Sequence, residues 1–322
     1  METLRILWLN WRCIKHPLAG GAEVYTHEIA KRLAKLGHEI FLFTSRPRNL
    51  PEKEFIDGYI VLRGGNNYSV YLQAAKTYKE KFKGKIDAVI DEINTIPFMT
   101  PLYVKEPIIT LIHQLCRECW FYSVPLPVAV TGYVTEPALH LPYIKNSNVK
   151  AVVTVSASTK QDLINIGYPE YKIHIVPNGL NVDQYGPGEK TPYPQICYVG
   201  RITPYKKLET LIKTMKILQK EISGIVFIIA GRAELKYLRK LRRLAEKYDV
   251  NVRFKINISH AEKIKILRES WILVYSSVRE GFGQTIVEAN ACGTPAVAYN
   301  ILGIRDSIEH MKTGILVSPR NI

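Results

Sequence analysis

From one end of the chain to the other, short runs rich in branched apolar residues alternate with amphipathic stretches of helical period. This alternation constrains the fold more than any other feature. Strands joined by helices pair in parallel, with the helices crossing over the sheet faces. Leu4–Leu9, Glu39–Thr44, Tyr59–Leu62, Ala88–Asp91, Ile108–Ile112 and Val152–Val155 read as strands, with helices between most of them. The pattern lapses over Pro177–Pro194 (PNGLNVDQYGPGEKTPYP), where turn residues crowd together. Beyond it come strands at Gln195–Val199, Gly224–Ala230, Val250–Phe254, Trp271–Ser276 and Gly314–Val317, with helices at Leu235–Tyr248 and His260–Glu269. The expected fold class is therefore α/β, with one parallel-sheet domain over residues 1–185 and a second over residues 186–322. No helix pattern closes the second domain, which reads as incomplete.

A formal charge of +15 over 322 residues favours an anionic partner: nucleotide phosphates, nucleic acid or an acidic membrane face. Much of that charge lies on helical spacing, as with Lys236, Arg239, Lys240 and Arg243, which also fits a solvated helix face. No run of about 18 apolar residues exists to span a bilayer. The start, METLRILWLN, leads directly into a strand without the zones of a signal peptide, so a cytoplasmic location is expected. The five cysteines are too scattered for a disulfide framework. Cys116 and Cys119 follow His113 in a C-x-x-C, but a structural zinc site needs a fourth ligand that no second pair supplies, and no metal is expected. Richness in Lys, Glu, Ile and Tyr, with few Met and Cys, matches a thermophile's composition.

Candidate site residues gather where strands end. In Arg279–Pro295 (REGFGQTIVEANACGTP), a strand runs through a glycine turn into a helix, an order that presents unpaired N–H groups near Gln284, Thr285 and Ile286 to an anion. Glu280 lies at the mouth of that turn and Glu288 about a turn into the helix, both placed to accept hydrogen bonds from sugar hydroxyls. An ordinary strand-to-helix turn with a glutamate placed to suit the helix dipole accounts for the same pattern. In the turn GRITPYKK, Arg201 and Lys206 suit two cations reaching one diphosphate, although so basic a chain offers cations at many turns. Gly20 and Gly21, between the first strand and first helix, resemble a phosphate-facing turn, but the G-x-G-x-x-G of a nicotinamide-binding domain is absent. Glu92, Asn94 and His113 follow strands and are candidates for a ligand-binding cleft; a lone turn histidine also fits a cap or surface position. The apolar run CRECWFYSVPLPVAVTGYVTEPALHLP reads first as a core helix and second as a segment touching lipid or an apolar acceptor.

Taken together, Asn10–Ile40 (NWRCIKHPLAGGAEVYTHEIAKRLAKLGHEI), VPNGLNVD, YVGRITPYKK and VREGFGQTIVEANACGTPAVAY resemble the retaining family-4 glycosyltransferases of GT-B fold. The resemblance covers nearly all the chain and is greatest to an archaeal and bacterial branch with the HPLAGGAE motif. It implies two Rossmann-like parallel-sheet domains facing a cleft, lacking here the C-terminal helices that brace the first domain. It implies transfer of a hexose-type sugar from a nucleotide-diphosphate sugar to a hydroxyl of a glycan, lipid-linked or small-molecule acceptor. The donor is a substrate, and neither cofactor nor metal is implied. Arg201 and Lys206 match the pair that holds the diphosphate. Glu280 matches the glutamate beside the donor sugar's hydroxyls, and Glu288 the one that binds the ribose. Backbone from Phe282 and Gly283 through Gln284, Thr285 and Ile286 would meet the phosphates, with Gly20 and Gly21 approaching from the first domain. His113 matches a histidine beside the transferred sugar, and Asn178 lies in the interdomain segment. Lys207 stands where the family usually has glycine, and Ile256 where a glycine near the base is common.

With this resemblance, the expected partners are a nucleotide sugar, a glycan or lipid-linked acceptor, and the anionic inner membrane face as a peripheral attachment; no specific nucleic acid is expected. The rival readings are a catalytically weak nucleotide-sugar-binding protein of the same fold and a sugar phosphorylase.

Overall fold

The computed structural model describes residues 2–319; Met1 and residues 320–322, the outermost positions of the two expected domains, lie outside the described residues. The chain forms two compact units, residues 1–117 with 131–178, and residues 118–130 with 179–322.

The first unit is built on β1 (Arg5–Leu9), α1 (Gly21–Lys35), β2 (Glu39–Thr44), β3 (Lys53–Ile56), β4 (Tyr59–Arg63), α2 (Val70–Thr77), β5 (Ala88–Ile93) and β6 (Ile108–Ile112). After α3 (Trp120–Ser123) and α4 (Leu126–Leu139) it continues with α5 (Leu141–Lys145), β7 (Val149–Thr154), α6 (Ala157–Asn165) and β8 (Ile173–Ile175). Its strands lie in the order β3-β4-β2-β1-β5-β6-β7-β8, and every neighbouring pair except β3 with β4 is parallel. Central strands covered on both faces need apolar side chains in both directions, which explains the unbroken runs ILWL and IITLI. Leu7, Leu9, Val89, Ile108, Ile112 and Val152 form the core beneath the helices. Strand β3 is absent from the sequence expectation. Asp57 and Gly58 take φ of 43° and 96°, the two-residue turn that folds β3 back onto β4, and the D-G pair is its sequence signal.

The second unit contains β9 (Gln195–Val199), α7 (Leu208–Glu221), β10 (Val226–Gly231), α8 (Leu235–Tyr248), β11 (Val252–Ile256) and α9 (His260–Glu269). It ends with β12 (Ile272–Tyr275), α10 (Gln284–Ala291), β13 (Ala296–Tyr299) and β14 (Gly314–Val317). All six strands are parallel, in the order β11-β10-β9-β12-β13-β14. Tyr198, Phe227, Ile229, Leu241 and Leu273 lie at the centre of its core.

Besides β3, β8 and β13, which the sequence expectation lacks, two findings stand apart from it. Residues 118–130 group with the second unit, and the division of the compact units at Asn178/Gly179 lies inside the Pro177–Pro194 stretch where the helix-and-strand pattern lapses. The physical reason for the first is local: Arg279 Nη1 donates to Glu118 Oε2 at 2.8 Å, and the Lys207 ammonium lies 4.6 Å from the centre of the Tyr122 ring. Second, α4 is not a core helix. Only Ala129 and Glu136, seven residues apart on one face, are buried within it, while Leu126 (67%), Val128 (53%) and Val134 (68%) are exposed. Glu136 faces inward because its carboxylate accepts the backbone N–H groups of Cys116 (2.5 Å) and Arg117 (2.7 Å), which directs the valines outward.

Candidate active site

In an open parallel sheet the ligand crevice forms at the carboxyl ends of the two strands where the strand order reverses. In the second unit those strands are β9 and β12, and Arg201, Lys206 and Glu280 all lie in the turns that follow them. Gly200 opens the β9 turn, where an added Cβ would lie 2.9 Å from the hydroxyls of both Tyr198 and Tyr275. Those hydroxyls fix the strand end by donating to Arg201 O and Val199 O, each at 2.7 Å. The guanidinium of the exposed Arg201 donates from Nη2 to the Tyr205 hydroxyl at 2.7 Å.

Lys206 is buried, ion-paired with Glu280, and its ammonium lies 4.9 Å and 5.5 Å from the centres of the Tyr205 and Tyr275 rings. Burial disfavours its charge, but Glu280 and the tyrosines outweigh that penalty and raise the Lys206 pKa above the usual lysine range. Ser276 Oγ donates to the Lys206 carbonyl at 2.8 Å, tying the β12 end to the β9 turn. Lys207, at the family's glycine position, has a left-handed φ of 52°. Glycine takes that conformation freely, and a side chain there costs about 1 kcal/mol.

After Glu280 the chain turns sharply into α10. Gly283 (φ −79°, ψ 58°) is the centre of an inverse γ-turn in which Gln284 N–H donates to Phe282 O at 2.9 Å, and Ile286 N–H donates to Gly283 O at 2.8 Å. This corrects the expected anion cradle. The N–H groups of Gln284 and Ile286 are already used, whereas those of Phe282, Gly283 and Thr285 have no acceptor among the described residues. Glu288, one turn along α10, is buried. Its Oε1 accepts from the Tyr185 hydroxyl (3.0 Å) and the Lys263 ammonium (2.6 Å). Burial and the Glu288 charge raise the Tyr185 pKa, so that phenol remains a donor at neutral pH.

Sequence reasoning missed Tyr185, Lys263 and the loop over residues 301–308. Gly303 (φ +80°) leaves room for the Glu280 carbonyl, which an added Cβ would approach to 2.1 Å; a Cβ on Gly283 would lie 2.2 Å from Ser307 Oγ. The only signal in the sequence was a glycine turn after a strand.

In the first unit the order reverses between β1 and β5, and a second cluster lies there. Glu92 is 1% exposed and accepts from Trp8 Nε1 (2.8 Å) and Thr26 Oγ1 (2.5 Å), with His113 Nε2 3.0 Å from its other oxygen. Tyr25 meets the His113 ring edge-on at 5.1 Å between centroids. Asn94 Nδ2 donates to Asn10 Oδ1 at 3.1 Å, and Asn10 in turn donates to Thr26. Gly20 is the N-cap of α1, and its N–H donates to Glu23 Oε2 at 2.6 Å, so of the expected glycine pair Gly20 has its donor engaged within the helix cap. An added Cβ at Gly21 would meet nothing within 4 Å. Among the described residues, no three His, Cys, Asp or Glu side chains are grouped to hold a metal ion.

Two family models cover this architecture from residue 19 onward: residues 19–184 match the one described as Glycosyltransferase Family 4, and residues 183–322 the one described as Glycosyl transferases group 1. The chain belongs to glycosyltransferase family 4. The transferase is 27% identical to a glycosyltransferase of Methanocaldococcus jannaschii over 99% of its own length and 86% of that protein. It is 26% identical to D-inositol 3-phosphate glycosyltransferase 2 of Catenulispora acidiphila over 93% of its length and 78% of the relative. In fold it matches sucrose-phosphate synthase from Thermosynechococcus elongatus with a TM-score of 0.80 at 20% identity, covering 99% of the transferase and 86% of the synthase chain. HepE of Anabaena, solved in complex with UDP-glucose, matches with a TM-score of 0.72 at 18% identity over 98% and 86% of the two chains. The two parallel-sheet units of the transferase are those of the GT-B fold.

Proposed function

We propose that the transferase moves a hexose-type sugar from a nucleoside-diphosphate sugar to a hydroxyl of a glycan, lipid-linked or small-molecule acceptor, with retention at the anomeric carbon and without a metal ion. The carrying observation is the convergence of Lys206, Arg201 and the N-terminal turn of α10 at the carboxyl ends of β9 and β12. Breaking the bond from anomeric carbon to phosphate oxygen leaves negative charge on the diphosphate. Two fixed cations and the open N–H groups of Phe282, Gly283 and Thr285 are what that charge needs. The UDP-glucose complex of the structural relative supports the donor class.

In this reading the diphosphate replaces Glu280 as the partner of Lys206, and the carboxylate so released accepts hydrogen bonds from the sugar. Glu288, held through Oε1, offers its remaining oxygen to the ribose. The acceptor oxygen bonds to the anomeric carbon on the face the diphosphate leaves, and its proton passes to the departing phosphate oxygen, so no enzyme nucleophile is required. In the first unit, His113 with Glu92 behind it is the group proposed beside the transferred sugar, and Gly20 and Gly21 form the turn proposed to meet phosphate.

A thermal-shift screen of wild type and Arg201→Ala against UDP, GDP and ADP and their sugar conjugates, in EDTA, tests this. A ligand bound only by the folded protein at 100 times its Kd adds about 2.7 kcal/mol. One nucleotide series is expected to raise the midpoint in wild type and not in the variant. No shift at saturation, or release of sugar phosphate from a glycan plus inorganic phosphate without nucleotide, overturns it, the latter in favour of a phosphorylase.

A further inference from the structure

The turn after β9 carries three cations, Arg201, Lys206 and Lys207, and each is met by a tyrosine of the same unit. The Lys207 ammonium lies 4.6 Å from the centre of the Tyr122 ring. Arg201 donates from Nη2 to the Tyr205 hydroxyl at 2.7 Å, while its Cζ stands 5.8 Å from the ring centre, so it meets Tyr205 at the polar end. Lys206 takes the face of that same ring, 4.9 Å from its centre, and has the Tyr275 ring at 5.5 Å as a second wall. Tyr205 therefore serves both cations at once, the hydroxyl for one and the ring for the other. Both rings are fixed. Tyr205 is buried, with its carbonyl accepting from Val278 N–H at 2.9 Å, and the Tyr275 hydroxyl donates to Val199 O at 2.7 Å.

A ring holds a cation differently from a carboxylate. The negative face of the π-system attracts an ammonium and leaves its charge uncompensated, whereas a paired carboxylate must move before another anion can take its place. Lys206 has partners of both kinds, Glu280 and the two rings. With Glu280 alone, partner exchange would release a flexible four-carbon stem that the ligand would have to order again, and the lost freedom would weaken binding. With the rings in place, the ammonium keeps its position when Glu280 departs.

We propose that Tyr205 is a positioning residue of the donor site. Its hydroxyl holds Arg201 and its ring face holds Lys206, so both cations keep one geometry for the diphosphate while Glu280 changes partners. This role rests on the donor reading of the second unit and adds to it the group that couples the two cations.

The test is calorimetric titration of the whole protein with UDP, GDP and ADP, in wild type, Tyr205→Phe, Arg201→Ala and the double variant, each checked for its fold by circular dichroism and thermal midpoint. The hydroxyl acts through Arg201, so Tyr205→Phe is expected to raise the Kd of the bound nucleotide about three- to tenfold in the wild-type background. In the Arg201→Ala background it is expected to add nothing, which a hydroxyl with a merely structural role would not show. The ring is tested separately by phenylalanines carrying one, two and three fluorines at position 205, which keep the shape and weaken the ring face stepwise. Kd is expected to rise with each fluorine, to about tenfold across the series. A flat fluorine series overturns the role of the ring, and an equal loss from Tyr205→Phe with and without Arg201 overturns that of the hydroxyl. Wild type that binds a nucleotide no better than the Tyr205 variants overturns the proposal alone. Wild type that binds none of the three nucleotides overturns the donor reading and the role of Tyr205 with it.

Discussion

Both sheets hold carboxylates near the point where strand order reverses, one in the first unit and two in the second, and they are held in opposite ways. Glu92 in the first unit accepts hydrogen bonds from the neutral donors Trp8 and Thr26 and faces His113; no lysine or arginine pairs with it among the described contacts. Glu280 and Glu288 in the second unit are each paired with a lysine, Lys206 and Lys263. A carboxylate saturated by fixed neutral donors is part of the scaffold, because each donor it releases is left unsatisfied. A carboxylate paired with an ammonium can change partners when another anion arrives. The first arrangement suits a fixed scaffold, and the second suits the partner exchange proposed for Lys206 and Glu280.

Four experiments press on that contrast. Lys206→Ala removes the cation proposed to exchange partners and is expected to lower kcat by about 10²–10³-fold. Lys206→Arg should restore little of it, since a planar guanidinium does not reproduce a compact ammonium. Steady-state kinetics on the identified donor decide this, and a loss under threefold would show that the pair is structural. Glu92→Gln keeps the shape of the first cluster while removing its charge. Misplacing His113 is expected to cost up to about 10²-fold in kcat with the donor KM unchanged. A raised donor KM at constant kcat would erase the distinction between the units.

The third experiment uses acid. His140, in the first unit, is buried with Nδ1 3.0 Å from the Tyr168 hydroxyl, and burial lowers its pKa to about 4. Its unfolded value is about 6.5. Above that pH both states are neutral and the residue contributes no pH dependence. As pH falls from about 6.5 towards 4 the unfolded chain takes up the proton first, and stability declines by up to about 1.4 kcal/mol per pH unit. Urea denaturation of wild type and His140→Gln should show a difference in slope confined to that window, and parallel curves would refute it. The smallest effect is expected for Lys263→Met, which leaves Glu288 with Tyr185 alone. A rise of about three- to tenfold in donor KM at unchanged kcat, measured by initial rates, would mark Lys263 as a positioning residue for Glu288, the carboxylate proposed to meet the ribose.

Much of this architecture is legible in the linear pattern because its signals are local. Alternating strand and helix periods give two parallel sheets, and Gly281 and Gly283 mark the start of α10. The Asp57–Gly58 hairpin is equally local, but its four- and five-residue strands give little pattern of their own beside the surrounding helix-and-strand alternation. What stayed hidden depends on contacts far apart in sequence. Tyr185 reaches Glu288 across 103 residues, and Trp8 reaches Glu92 across 84. No periodicity encodes such pairs. The α4 helix misled for another reason: an all-round apolar helix signals burial in water, and only the inward pull on Glu136 reveals that this one faces out.

The fit of Gly303 against the Glu280 carbonyl has a consequence for anyone who would exchange parts between relatives. The Glu280 backbone packs directly against residues 301–308: its N–H donates to Leu302 O at 3.4 Å, and a side chain at Gly303 would collide with its carbonyl. A chimera that carries only the Glu280 turn from a relative would rest on a foreign neighbour. In such chimeras the two loops are expected to travel together as one unit.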